Sequence, residues 1–196
     1  MSSSVTPLDY PYPLDLRHLF RCGWLSGVTV ESADQEFRVH SLLLSLLSEV
    51  FAESDEDNFQ LKEDHPRIVE VVMRFIYQMN YDDVVEKSGF SKVKFHIKLY
   101  LIATKYCIEK LWIFVEDNLK SIIQEGVLKD GFSDAIDEYY NRGCDDDGAH
   151  RHLFVEASDL NFQGLKDRDD FLDVVQRTPD FVFDLILEFR KRLPWG

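Results

Sequence analysis

The sequence predicts an α+β fold with few strands and many helices. Three observations point there. Alternation of apolar and polar residues, the mark of a half-buried strand, is confined to short stretches before residue 62. From Ser41 onward the apolar residues recur mainly at helical spacing. Hydrophobic residues make up 45% and aromatics 13% of the 196, enough for a packed core, which excludes a wholly disordered chain.

Residues 1–13, with three serines and Pro7, Pro11 and Pro13, read as an extended lead-in. Leu14 to Phe20 suits a short helix, broken at Cys22-Gly23. Val28-Thr29-Val30-Glu31 and Glu36-Phe37-Arg38-Val39 alternate around a polar centre at Ser32-Ala33-Asp34, which predicts a hairpin burying Val28, Val30, Phe37 and Val39. Between Ser41 and Ser54 the period becomes helical, with Leu42, Leu43, Leu46, Leu47 and Val50 as the stripe and Phe51 beside it. The acidic run Glu53 to Asn58 has nothing to bury and predicts a loop, and Phe59-Gln60-Leu61 is the third strand candidate. Asp64-His65-Pro66 reads as a capping acid followed by a first-turn proline. Ile68, Val71, Val72, Phe75, Ile76 and Met79 form the apolar face of the helix it starts. Residues 80–94 read as a polar connection around Gly89. Phe95 to Glu125 predicts two helices jointed near Tyr106 to Glu109, the second with Leu111, Val115, Leu119 and Ile122 on one stripe and Gly126 as its end.

The remainder also reads as helical. Ser133 is a candidate cap for a helix through Tyr140, Asn141 to Gly148 a loop, and Phe171, Leu172 and Val175 mark a short helix. Thr178-Pro179 starts a last helix with Val182, Leu185, Ile186, Phe189 and Leu193 on one face. Asp180 in its first turn and Arg190-Lys191-Arg192 in its last suit the helix dipole.

The length fits one domain with an extension. Against 22 Lys+Arg stand 36 Asp+Glu, a net charge of −14. That excess argues against nucleic-acid and anionic-membrane partners, which need clustered bases. Charge alone would favour basic partners. Residues 1–126 hold 20 acids and 13 bases, and residues 127–196 hold 16 and 9, so each part carries −7 and the acidity is a shell rather than a tail. Cys22, Cys107 and Cys144 are odd in number and widely spaced, so no secreted disulfide framework is expected, and Cys107 reads as a buried thiol. No basic segment followed by an apolar core opens the chain, and no apolar run approaches ~18 residues. A cytoplasmic or nuclear protein is therefore expected.

In order along the chain, these residues resemble the BTB/POZ domain. The match begins at Ser26-Gly27-Val28-Thr29-Val30 and continues through Glu36-Phe37-Arg38-Val39-His40-Ser41-Leu42-Leu43-Leu44, similar to the family's second strand, histidine and first core helix. Ser48-Glu49-Val50-Phe51 resembles its "S-x-x-F" helix start, and Ile76-Tyr77-Gln78-Met79-Asn80-Tyr81 the end of its third helix. Leu101-Ile102-Ala103-Thr104-Lys105-Tyr106 followed by Leu111 resembles "l-x-A-x-K-Y-x-i-x-x-L". Pro179-Asp180-Phe181-Val182-Phe183-Asp184-Leu185 is similar to the "P-x-F-x-x-D-l" helix ending the tail of stand-alone BTB proteins of filamentous fungi. The resemblance implies a lead at 1–23, a BTB/POZ domain at 24–123 with about three strands flanked by helices, and an all-helical extension at 124–196. The family motif residues are Val28, Phe37, Val39, His40, Leu44, Phe51, Tyr77, Tyr81, Ala103, Lys105, Tyr106 and Leu111. Gly27 stands where the family usually has Asp, and Ser41 where it often has Lys or Arg. Members that dimerise by exchanging N-terminal strands use that acid and base in the dimer pocket, so that mode, and co-repressor binding built on it, lacks its charged pair here.

The resemblance implies a non-enzymatic protein–protein interaction module with no cofactor, homo-oligomerising or serving as adaptor to a cullin-type ubiquitin ligase. The hydrophobic-x-Glu motif described for cullin binders is matched in position by Val84-Val85-Glu86, although Leu47-Ser48-Glu49, Phe51-Ala52-Glu53, Ile68-Val69-Glu70 and Phe114-Val115-Glu116 match the same pattern. Trp195, beyond Pro194, is either an accessible aromatic anchor or packed back on the last helix. His40, at a strand-to-helix turn, suits a structural role with one ring nitrogen on a backbone group. Two alternatives stand: a linker like elongin C, and a metal-dependent enzyme built on Cys144, His150 and His152, whose spacing matches no known zinc finger. No G-x-S-x-G, Walker A or G-x-G-x-x-G motif supports catalysis.

Overall fold

The computed structural model describes residues 16–33, 35–77, 81–141 and 150–192. Strands β1 (Val28–Ser32) and β2 (Gln35–Val39) form the expected antiparallel hairpin, with Val28 opposite Val39 and Ser32 opposite Gln35. Alternation puts Val28, Val30 and Val39 in the core and leaves Phe37 half-buried at its edge. Strand β3 (Asn58–Gln60) lies on the other side of β1, parallel to it, with Phe59 beside Val30. Parallel pairing needs a crossover, and α2 (Ser41–Ser45) and α3 (Glu49–Ala52) supply it. Before the sheet, α1 (Leu16–Cys22) lays Leu16, Leu19 and Phe20 on the core, and Gly23, at φ +58°, ends it.

The crossover departs from the sequence expectation. Leu44 and Phe51 are buried, whereas Leu42 and Leu46 are each 68% exposed and Val50 is exposed too. Helical period marks an apolar stripe, but not the side from which the sheet arrives. Leu44, about half a turn from Leu42, is the residue that meets it. Ser48 then interrupts the helix, its Oγ accepting from the Phe51 amide at 3.2 Å, and re-aims Phe51 inward.

Helix α4 (Pro66–Ile76) starts one residue later than the capping acid suggested. His65 is the cap, its Nδ1 accepting from the Arg67 amide at 3.2 Å, and Asp64 turns elsewhere. Ile68, Val69, Val71, Val72, Met73 and Ile76 are buried, a wider face than expected, because α4 is covered from more than one side. Met79 lies outside the described residues. The stretch expected as a polar connection contains α5 (Asp82–Lys87), with Asp82 and Asp83 in its first turn, Lys87 in its last, and Val84 as its single buried anchor.

Helices α6 (Lys92–Lys105) and α7 (Glu109–Gly126) flank the expected joint. Cys107 sits in that joint at φ +49° and is exposed, not buried: the turn between the helices points its side chain outward. Gly126 is not a left-handed cap. It is helical and buried, and a Cβ there would collide with Val93 Cγ2, so it lets the end of α7 close on α6.

Helices α8 (Phe132–Asn141), α9 (Arg151–Leu160), α10 (Phe162–Leu165), α11 (Asp169–Arg177) and α12 (Pro179–Arg192) form the C-terminal part. Ser133 lies inside α8 rather than capping it, and its hydroxyl donates to Asp170 at 2.9 Å. In α11 Phe171 and Val174 point inward and Leu172 outward. In α12 Phe181 and Leu185 point inward, Val182 and Phe189 are half-buried, and Ile186 is exposed; Leu193 lies outside the described residues. Helix α8 packs on α6 through the Tyr100–Tyr139 ring contact and the Lys98–Glu138 ion pair at 2.6 Å. One apolar core runs through both parts, and residue 123 falls inside α7. Among the described residues no helix is long and apolar enough to cross a membrane.

Candidate functional site

The motif residues fall into two groups. Val28, Val39, Leu44, Phe51, Tyr77, Ala103 and Leu111 are buried; Phe37, His40, Tyr81 and Tyr106 are half-buried, and Lys105 is exposed. Their polar atoms close two networks around the crossover α2–α3.

The first network centres on His40, the N-cap residue of α2. Its Nε2 meets the Trp24 carbonyl at 2.8 Å and its Nδ1 the Tyr77 hydroxyl at 2.7 Å. A carbonyl only accepts, so Nε2 carries the proton and Nδ1 accepts from the hydroxyl. The same hydroxyl accepts from the His40 amide at 3.0 Å. Burial pushes the Tyr77 phenol above its ordinary range, which keeps it protonated and able to donate. His40 thus hydrogen-bonds a side chain as well as a backbone group at this turn.

The second network joins Asp64, Lys105, Tyr106 and Ser48. Asp64 Oδ2 accepts from Lys105 Nζ at 2.9 Å and from the Tyr106 hydroxyl at 2.7 Å. Burial, with the Asp64 bond adding to it, pushes the Tyr106 phenol up to about 12. Burial would lower the Lys105 ammonium, but Asp64 and Tyr106 outweigh it and leave it raised. The Tyr106 carbonyl accepts from Ser48 Oγ at 2.5 Å, and the Phe51 and Tyr106 rings stack with centroids 5.4 Å apart. Neither Asp64 nor Ser48 was assigned to a site from sequence; the signal available was an acid sitting beside the cap instead of acting as it.

These networks leave an apolar face outside. Trp24 and Leu25, after α1, Leu42 of α2, Leu46 at its C-cap and Val50 of α3 are exposed large side chains. The His40–Trp24 hydrogen bond keeps the Trp24 backbone beside the start of α2, and Leu42 and Leu46 share a face four residues apart. Elsewhere a concavity of about 520 Å³ is lined by Tyr81, Val85, Glu86, His96, Phe114 and Glu125, among others. Of the three residues expected to bind a partner here, Val84 is 1% exposed and offers no surface, Val85 is half-buried, and Glu86 is exposed.

Trp195 and Cys144 lie outside the described residues. His150 is buried, with its Nε2 3.1 Å from Glu116 Oε1 and its ring edge-on to Tyr100; His152 is exposed. Among the described residues no group of three His, Cys, Asp or Glu side chains is placed to hold a metal ion. A comparison with family models matches the BTB/POZ domain over residues 16–123, more than half of the chain. A comparison with curated proteins found no match.

Proposed function

The chain belongs to the BTB/POZ domain family, whose domains are in general protein–protein interaction modules, and from that premise we propose that it works without catalysis, as a module that pairs with a second copy of itself. The observation that carries this reading is the exposure of Leu42, Leu46 and Val50 along the α2–α3 crossover, with the Trp24 backbone held beside its start by His40. Contiguous large apolar side chains on a surface mark an interaction site, and an isologous contact needs one such patch per copy. Sedimentation equilibrium on the full chain tests it. Burying a leucine contributes ~1.5–3 kcal/mol, so Leu46→Asp weakens self-association tenfold or more. A mass distribution unchanged in both Leu46→Asp and Leu42→Asp discards the reading.

The groove at Tyr81, Val85, Glu86 and Phe114 favours a second reading, adaptor to a cullin scaffold. A cullin N-terminal domain should then retain the protein, and Glu86→Lys should reduce retention. No retention of the unaltered protein rejects it.

A further inference from the structure

Helix α12 carries an apolar stripe on its solvent side. Phe183, Ile186 and Leu187 are 63%, 57% and 40% exposed, opposite the buried Phe181 and Leu185. Spacing of three and four residues aligns them as one ridge. Single exposed apolar residues are ordinary, but three aligned on one helix are not.

The charge of the same helix is polarised. Asp180 and Asp184 lie in its first half, and Arg190, Lys191 and Arg192 end it. With Glu188 the helix holds three acids and three bases, so it is neutral within a chain of net charge −14. The net charge sets two copies against each other on average, whereas α12 itself adds none of it.

We propose that α12 pairs antiparallel with α12 of a second copy, in a two-fold contact separate from the α2–α3 face. Antiparallel alignment brings the acidic start of each helix to the basic end of the other; parallel alignment would set acids against acids. A register that puts Phe183 against Leu187 of the second copy also puts Asp180 opposite Arg190, because both pairs share the level of Leu185 as their midpoint. The two-fold makes each contact twice. Asp180 is exposed, and Arg151 Nη2 lies 3.9 Å from its Oδ2, a long contact that leaves room for an added partner. A single helix pair is a small contact, so the association is weak. Combined with the α2–α3 face, it lets copies join beyond a dimer, since two independent self-complementary faces need not close.

Sedimentation equilibrium on the full chain, across a wide concentration range, separates the two faces. The unaltered protein should exceed a dimer at high concentration. Phe183→Asp should stop at a dimer held by α2–α3, Leu46→Asp at a dimer held by α12, and the double variant should be a monomer. Within the Leu46→Asp protein, Asp180→Arg alone or Arg190→Asp alone should weaken the remaining dimer by about three- to tenfold. The two together should restore it. Circular dichroism confirms folding, and Leu42→Asp replaces Leu46→Asp if that variant fails to fold. A Leu46→Asp protein that is monomeric at every concentration, or charge swaps that do not restore each other, overturns the α12 pairing and leaves the α2–α3 reading untouched. A Leu46→Asp protein indistinguishable from the unaltered one, with a monomeric Phe183→Asp, does the reverse.

Discussion

Tyr77→Phe removes one oxygen and two hydrogen bonds. The Tyr77 hydroxyl accepts from the His40 amide at 3.0 Å and donates to His40 Nδ1 at 2.7 Å, and the residue is fully buried, so water does not replace it. Removing one partner of a buried pair costs about 1–3 kcal/mol. The phenylalanine ring keeps the Phe20 contact at 5.0 Å, so little packing is lost. A net loss of about 2 kcal/mol follows, a fall in Tm of about 4–8 °C for a chain of this size. Urea unfolding followed by circular dichroism should show a lower midpoint at unchanged slope. His40→Ala supplies the second side of a double-mutant cycle, and the two substitutions should be less than additive because they cut the same network. A Tyr77→Phe midpoint equal to that of the unaltered protein, or strict additivity with His40→Ala, refutes the reasoning.

Three further outcomes are expected. Gly126→Ala should destabilise by up to about 2 kcal/mol although alanine is the better helix former, because its Cβ would overpack Val93; adding Val93→Ala should recover part of the loss, and a Tm at or above that of the unaltered protein rejects the close approach. Cys107→Gly should be neutral or stabilising by up to about 1 kcal/mol, since glycine takes a positive φ without strain at an exposed position; a clear loss of stability would show that the thiol packs against something. Burial holds the His96 imidazole below its ordinary range, and the bond to the Lys92 carbonyl at 2.8 Å offsets this only in part. The unfolded chain therefore takes up a proton that the folded chain refuses, so stability is full above about pH 6.5 and falls with acidification below it. His96→Gln should flatten part of that slope, with His65 acting in the same direction, and an unchanged slope counts against it.

The fold was legible where a residue's chemistry allows one environment. Val28, Val30 and Val39 alternate and have only the sheet's inner face to bury against. The joint between α6 and α7 was legible because Lys105-Tyr106 carries a specific pairing, although its acid, Asp64, was assigned to the wrong task. Surface placement was much less legible. Leu42, Leu46 and Ile186 have the spacing of core residues and are exposed. Spacing reports that a helix has two faces, while the direction of burial depends on which neighbour arrives, a matter of tertiary contact. Helix α5 escaped for a related reason: its six residues bury one side chain, Val84, so no period exists to read.

The motif residues and the exposed face are coupled, though all of the motif but Lys105 is buried or half-buried. His40 and Tyr77 fix the start of α2 and the Trp24 backbone, and Ser48 fixes the start of α3 to the Tyr106 carbonyl, which Asp64 holds in turn through the Tyr106 ring. Leu42 and Val50 thus stand on two very short helices, each tied at its start, with Leu46 between them at the C-cap of the first. Helices of five and four residues have no stability of their own, so without these ties the face would have to be ordered at each binding event. Ordering costs affinity, and a face held in place beforehand avoids that cost. Under the proposed self-association, the polar motif residues of this chain are the support of the α2–α3 face, whose contact chemistry its leucines carry.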